Sequence, residues 1–423
     1  MNALVIALHH VTLIDGTGAE PTPDATVAFR DGRIIYAGTA KTWLPSLQED
    51  ILNMDFPGKF LLPGLIDCHI QLARAGEPHG RIDGDDGAVA MRILNNARRN
   101  LAAGITTVRD LGGWNQLEFS VRDAIQRGDF CGPRLFLSGK CITGSEAAAA
   151  QYPGRYRLIK DAEDARKAAR EQIRRGADVL ELGMTGSLLV QDDAAVAKHL
   201  DADEISAAVD EADKAQRRVT AHAHGIEGIR QAVQGGVHSI EHGTYLHKSR
   251  EIIQDMKARG TFLVPTLNAG RVIAEGGTSR VPAWMVERLN DTYESAQRSA
   301  RLAHQAGVPV AMGSNAGTPL NRHGENGLGV LSLQQAGLKP MEALCAATLT
   351  AARLLGKETE LGSIEEGKLA DLLVLDSDPR EDLSRLADKK QIRAVFLDGK
   401  LVARQPTDSY PKTVLVRDGL LIG

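Results

Sequence analysis

The chain has 423 residues, 43% hydrophobic and 25% charged, with a net charge of −4. That length exceeds one simple core and leads us to expect a large domain plus a smaller one. With no Lys/Arg block, neither nucleic acid nor an anionic membrane surface is the expected partner, which leaves a small-molecule substrate. No apolar run reaches the ~18 residues of a membrane span, and the start, MNALVIALHH, lacks a basic region and a cleavage site. A cytoplasmic enzyme is therefore expected. Cysteines 68, 131, 141 and 345 form no CxxC spacing and are expected to be free.

Residues 1–58 carry short alternating runs with Asp-Gly turn signals at 15–16 and 31–32. Residues 366–423 look alike: GKLADLLVLD, AVFLDGKLV and VLVRDGLLIG, with Asp398-Gly399 and Asp418-Gly419. Together 1–58 and 366–423 predict one small β domain built from both ends. Between them, 59–365 alternates strand and helix. Apolar runs occur at FLLPGLID, GITTVRDLG, PRLFLSG, ADVLEL, RVTAHAHG, SIEHG, TFLVPTL and PVAMGSNAG. Amphipathic stretches such as 88–104, 161–175 and 283–306 separate most of them, with Asp161 and Asp164 as a helix start and Gly176 as a stop. Eight βα units over this length predict a (β/α)8 barrel. The rival is a doubly wound open sheet, which wants a Gly-rich phosphate loop after its first strand; none is there.

A barrel places its chemistry at the C-terminal ends of its strands. The polar residues cluster there. The first run ends in Asp67, His69 and Gln71, and the second in Arg109-Asp110. The fourth ends near Glu181, the fifth carries His222 and His224, the sixth ends in Glu241-His242, and the eighth in Ser314-Asn315. His222 and His242 fall on neighbouring strands, and Glu181 on the strand before. Two imidazoles and one glutamate form a ligand set for catalytic zinc. His224 shares the direction of His222 in a strand, and is a ligand, a carbonyl-orienting group, a proton donor or a supporting residue. Asp67 is expected to orient a loop, and Arg109-Asp110 to be structural. His323 is expected in a loop near substrate, and His9-His10 away from the site. Arg155, Arg157 and Arg322 are possible anchors for an acidic substrate. Trp114, Tyr152, Tyr156, Tyr245 and Trp284 fall near loops.

These motifs, LLPGLIDCH, GITTVRDLGG, TAHAHG, GVHSIEHGTYL, GSNAG, RHGENG and LGSIEEGKLADLLVLD among them, resemble the amidohydrolase superfamily, in its imidazolonepropionase-like and prolidase-like branch. The resemblance spans nearly the whole chain. It implies a distorted barrel, a β-sandwich made of both termini, one or two divalent metals, usually zinc, and hydrolysis of a C–N bond. His222 and His242 match the family's ligands on strands five and six. Three positions depart from its pattern. The His-x-His of strand one is His69-Ile70-Gln71, the carbamylated lysine of strand four is Glu181, and the aspartate base of strand eight is Asn315. TGSEAAAA at 143–150 also lacks the branch's Gly-Gly-His stretch.

The expectation is a mononuclear site of His222, His242 and Glu181, completed by His69 or water, with Gln71 a weaker donor. A zinc ion lowers the pKa of water from ~15.7 to ~7, which offsets the missing base. His224 is the first candidate to protonate the leaving nitrogen and His323 the second. A homo-oligomer is expected. The alternatives are a lyase or isomerase on the same scaffold, or an inactive relative.

Overall fold

The computed structural model describes residues 4–45, 50–79, 81–191, 193–277 and 279–404. Its first strands are β1 (Val5–Leu13), β2 (Thr22–Arg30), β3 (Arg33–Thr39), β4 (Ile51–Asp55) and β5 (Phe60–Pro63). Between β2 and β3, Asp31 (φ 50°) and Gly32 (φ 77°) are both left-handed. A two-residue hairpin turn needs that backbone, and Asp-Gly supplies it cheaply. Asp15-Gly16 differs. It opens the longer connection 14–21, where Asp15 Oδ1 accepts from Thr17 N at 2.8 Å.

The middle of the chain contributes β6 (Leu65–Ile70), β7 (Ile105–Asp110), β8 (Arg134–Leu137), β9 (Cys141–Thr143), β10 (Tyr156–Leu158), β11 (Val179–Gly183), β12 (Arg218–Ala223), β13 (Ser239–His242) and β14 (Phe262–Val264). They form two parallel sheets, β6-β7-β8 and β10-β9-β11-β12-β13-β14. β6, β7 and β11 are buried along their whole length, as strands covered on both faces are. The sheets meet where Asp178 N donates to Leu137 O at 2.8 Å. On the other side they meet through residues 309–316, which bridge Leu263 to Val310 and Ile70 to Ala316, both parallel.

The eighth apolar run therefore touches both neighbours without forming a ladder. Asn315 interrupts its extended backbone, left-handed at φ 57°, and Gly313 packs closely, since a Cβ there would lie 2.5 Å from Val264 Cγ1 and 2.8 Å from His69 Cβ. The helices follow the amphipathic stretches: Asp86–Ala102, Ala162–Arg174 and Ala283–Ala306 are three of them. Asp161 caps the second by accepting from Asp164 N at 2.8 Å, and Gly176 follows it at φ 92°.

The last described strands, β15 (Leu372–Leu375), β16 (Ile392–Leu397) and β17 (Lys400–Arg404), return to the first five. One sheet runs β17-β16-β15-β5-β1-β2-β3, with β4 paired to β1. Asp398 (φ 50°) and Gly399 (φ 72°) repeat the hairpin turn. VLVRDGLLIG with Asp418-Gly419 lies outside the described residues. This sheet has its own apolar core, in which the Phe29 and Phe396 rings meet edge-on at 5.6 Å. The run FLLPGLID is split: FLLP is β5 of the terminal sheet, and β6 starts after Gly64. Among the described residues no helix is long and apolar enough to cross a membrane.

Candidate active site

At the end of β6, alternation separates two tasks. Asp67 is fully buried and accepts from Ser314 N (2.9 Å), Ser314 Oγ (2.5 Å) and Asn326 Nδ2 (2.7 Å). It ties β6 to residues 314–326, the orienting role expected of it. His69 Nδ1–H donates to Glu241 Oε2 at 2.8 Å. That bond leaves the lone pair on His69 Nε2, a buried atom with no hydrogen-bond partner.

Glu241 anchors a buried charge cluster. Its Oε1 accepts from Arg109 Nη2 at 2.6 Å and from Ser239 Oγ at 2.8 Å. Burial pushes this carboxyl up, but the Arg109 guanidinium and His69 outweigh it and hold it at about 2. Arg109 is thus structural, as expected, but its partner is Glu241. Asp110 instead accepts from Gly112 N at 2.9 Å through one oxygen. The other oxygen has no partner, and burial pushes the group up to about 7.

Next to His69 stand three imidazoles. His222, His224 and His242 each offer a ligand atom, all within 4.8 Å of one another. His222 Nδ1 and His242 Nε2 are 2.8 Å apart. The outer nitrogens are held: His242 Nδ1 by Thr266 Oγ1 at 2.6 Å, His224 Nδ1 by Thr244 Oγ1 at 2.7 Å, His222 Nε2 by Gly186 O at 3.3 Å. Supports of this kind fix the ring orientations of metal-ligating histidines. Burial lowers His222 to about 4 and drives His224 and His242 well below the ordinary imidazole range. The rings are therefore neutral and each keeps one lone pair; a metal ion would take the place of the hydrogen bond between His222 Nδ1 and His242 Nε2. His242 (φ 69°) and Thr266 (φ 50°) hold left-handed backbone, a costly conformation that clusters at functional sites.

Glu181 lies outside that histidine group. Arg155 Nη2 approaches its Oε1 at 3.8 Å, and neither oxygen has a hydrogen-bond partner. The adjacent Cys141 thiol is kept protonated by burial and is a weak donor. Burial pushes the Glu181 carboxyl up while Arg155 pulls it down. Gln71 Nε2 donates to Asn315 Oδ1 at 2.9 Å, so these two residues bind each other, and Gln71 Oε1 has no partner.

An open cavity of about 760 Å³ gathers most of these groups. Gln71, Arg155, Asn315 and the three histidines are among its lining residues. Leu188, Leu267, Leu289 and Tyr293 give the same lining its apolar surface. Of the expected loop aromatics, Tyr152 and Tyr156 line it. Of the expected cations, Arg155 reaches it; Arg157 is tied to Asp164 (2.8 Å) and Glu171 (2.9 Å) instead.

His323 is not brought to this cavity. It is 4% exposed, with Nε2 3.0 Å from Arg74 O and 3.2 Å from Gln71 O, and Nδ1 3.2 Å from Asn100 Nδ2. It clamps the loop after β6. All four cysteines are free, and Cys68 turns its thiol toward Ala351 O, 3.9 Å away. His9 is held in the terminal sheet by Thr26 (2.9 Å) and Asn53 (2.8 Å).

Sequence reasoning left Glu241 and Arg74 without roles. A signal for Glu241 existed. Alternation sends Glu241 and His242 to opposite faces, and a buried glutamate needs a cation such as Arg109. Arg74 is buried, lines the cavity and stacks over the Tyr152 ring at 4.6 Å, but it lies in no sequence motif.

The donors present suit a divalent metal of the zinc class: neutral imidazoles, a carboxylate without partners, and the orphaned His69 Nε2. The comparisons point the same way. The amidohydrolase family profile matches residues 60–402. Ochratoxinase of Aspergillus niger is 29% identical over 436 residues, covering 94% of this chain and 87% of that protein. Imidazolonepropionase of Symbiobacterium thermophilum is 27% identical, covering 84% of each. A crystal structure of a Xaa-Pro dipeptidase with bound methionine in its active site is similar with a TM-score of 0.84 at 29% identity, covering 94% of this chain and 99% of that one. The chain belongs to the amidohydrolase family, and is by that membership a hydrolase of carbon–nitrogen bonds.

Proposed function

We propose that this protein hydrolyses an amide, urea, carbamate or cyclic amide bond of a small molecule at a site that holds one divalent metal, zinc first among the candidates. The observation that carries the reading is the convergence of His222 Nδ1 and His242 Nε2, 2.8 Å apart, on neutral buried rings. His222, His242 and Glu181 are the ligands in this reading, with His69 Nε2 beside them and Gln71 Oε1 the weakest donor. A metal held there supplies Lewis-acid activation of water and of the scissile carbonyl.

The chain's own residues do the rest. His224, neutral through burial and steadied by Thr244, takes the proton that water gives up and passes it to the leaving nitrogen. Asn315 carries no charge at the family's base position and holds the Gln71 amide. The apolar part of the cavity lining excludes water and takes the substrate's apolar part. His323 acts on this site only through the loop it clamps.

In the same reading, the parallel strands and residues 309–316 form a (β/α)8 barrel over 59–365. Residues 1–58 and 366–423 form a small β-sandwich, and the protein is a cytoplasmic homo-oligomer. The names of the relatives support hydrolysis and leave the substrate open. The test is metal per chain by elemental analysis, on protein purified without chelator, followed by a screen of amides, ureas and carbamates. About one ion per chain with C–N hydrolysis supports the proposal. No ion and no tight rebinding sinks it, and two ions refute the mononuclear site. Asn315→Asp should not raise activity strongly at unchanged metal content; if it does, the site has not adapted to the missing base.

A further inference from the structure

We propose that the Arg155 guanidinium is a built-in cation that takes the electrostatic place of a second metal and closes that half of the site to one. The inference rests on the metallohydrolase reading above and adds the reason why the site holds a single ion.

Three observations converge. Arg155 is 5% exposed, and its Nη2 faces Glu181 Oε1 at 3.8 Å while Nη1 has no hydrogen-bond partner. A fixed positive charge thus stands against the carboxylate that aligns with the family's bridging lysine. Second, Gln71 and Asn315, which align with two donors of a second metal, are neutral amides bound to each other at 2.9 Å. Third, the backbone makes room for the guanidinium. A Cβ on Gly112 would lie 2.8 Å from Arg155 Nη1 and 2.6 Å from Gln71 Cγ. Gly112 therefore lets the guanidinium pack beside Gln71.

Charge explains why the changes belong together. A second dication beside Arg155 would meet like charge at short range, with no anion from position 315 and no imidazole from position 71. Losing those donors without gaining Arg155 would leave the buried Glu181 carboxylate with one cation, the single metal, in place of two. Arg155 resolves both, and it packs against the Tyr156 ring at 5.3 Å on the turn from Tyr152 to Tyr156, which follows the 143–150 segment that lacks the branch's Gly-Gly-His stretch.

The test counts zinc per full-length chain by elemental analysis and titration calorimetry with Zn²⁺ alone. The variants are wild type, Gln71→His/Asn315→Asp, and the same pair with Arg155→Met. The expected counts are one, one and two. Restoring charge with Arg155→Lys in the same pair should return the count to one. That arm guards against a misfolded methionine variant, as does a thermal melt of each protein. If Gln71→His/Asn315→Asp takes up two ions with Arg155 in place, or the Arg155→Met variant folds and still holds one, the proposal is overturned. A wild type that binds no zinc overturns the metallohydrolase reading itself, and with it this one, so the two failures are told apart by the wild-type count.

Discussion

Glu241→Gln tests the buried charge cluster with a change of few atoms. Glu241 is fully buried and Arg109 is 2% exposed, so the substitution leaves a guanidinium without its counter-charge. Breaking one side of such a pair costs about 3–5 kcal/mol. In a chain of this size that lowers Tm by about 3–6 °C. The substitution also reaches the metal. Arg109 only donates, so the new amide must turn its oxygen toward Arg109 and its NH2 toward His69. His69 Nδ1 then has to accept, which moves its proton to Nε2 and removes the lone pair from the site. Loss of a support of this kind weakens metal binding by about 10–100-fold. The assays are thermal melts of metal-free protein and zinc titration calorimetry. Arg109→Met combined with Glu241→Gln should cost less than the sum of the two single changes by on the order of 2 kcal/mol. A melt within about 1 °C of wild type, an unchanged zinc affinity, or strict additivity would refute the reasoning.

Other expectations follow from the same geometry. Burial raises Glu118 to about 8, so its contribution to stability is full below an unfolded value of about 4.5 and is lost as pH rises toward 8, at about 1.4 kcal/mol per pH unit. Glu118→Gln should therefore gain on wild type in melts between pH 5 and 8, and a constant difference across that range would count against the shift. His242→Asn should drop zinc well below one per chain and slow hydrolysis by on the order of 10³-fold, since it removes several kcal/mol of stabilisation; full activity in a zinc-free variant would contradict the site. His323→Asn should lower stability by about 1–3 kcal/mol with the shape of the pH–rate profile unchanged, and a shifted profile would return His323 to proton transfer. Dialysis against chelator should lower the melt, with zinc at ~100 Kd restoring about 2.7 kcal/mol.

The parts of the fold visible in the sequence were those with a local cause. Asp31-Gly32 and Asp398-Gly399 are turns because both residues accept left-handed backbone, and Asp161 caps its helix through its own side chain. The split of FLLPGLID between two sheets was not visible, because an apolar run carries no mark of which sheet it joins. The same holds for PVAMGSNAG, whose apolar pattern suits a strand while the left-handed Asn315 breaks it. In the site, alternation brought His222 and His224 to one side and the neighbouring strand brought His242 to the same end; the structure gathers the three ligand atoms within 4.8 Å. Pairing across distance was not legible. Arg109 with Glu241, Arg155 with Glu181 and Gln71 with Asn315 are separated by 132, 26 and 244 positions, and only the folded chain shows which buried charge answers which.

The order of strands in the terminal sheet has a consequence for synthesis. β5 pairs with β1 on one side and with β15 on the other. β1 is made before β5, but β15 begins at Leu372, some 300 residues after β5 ends at Pro63. At ~5–20 residues per second, the ribosome takes roughly 15–60 s to supply that partner. During that interval the free edge of β5, Phe60 to Pro63, is a row of unpaired backbone groups on an apolar strand, open to mispairing. Nascent chains stalled before and after residue 375 should differ sharply in protease resistance of the first 60 residues, because only the longer chain completes the sheet.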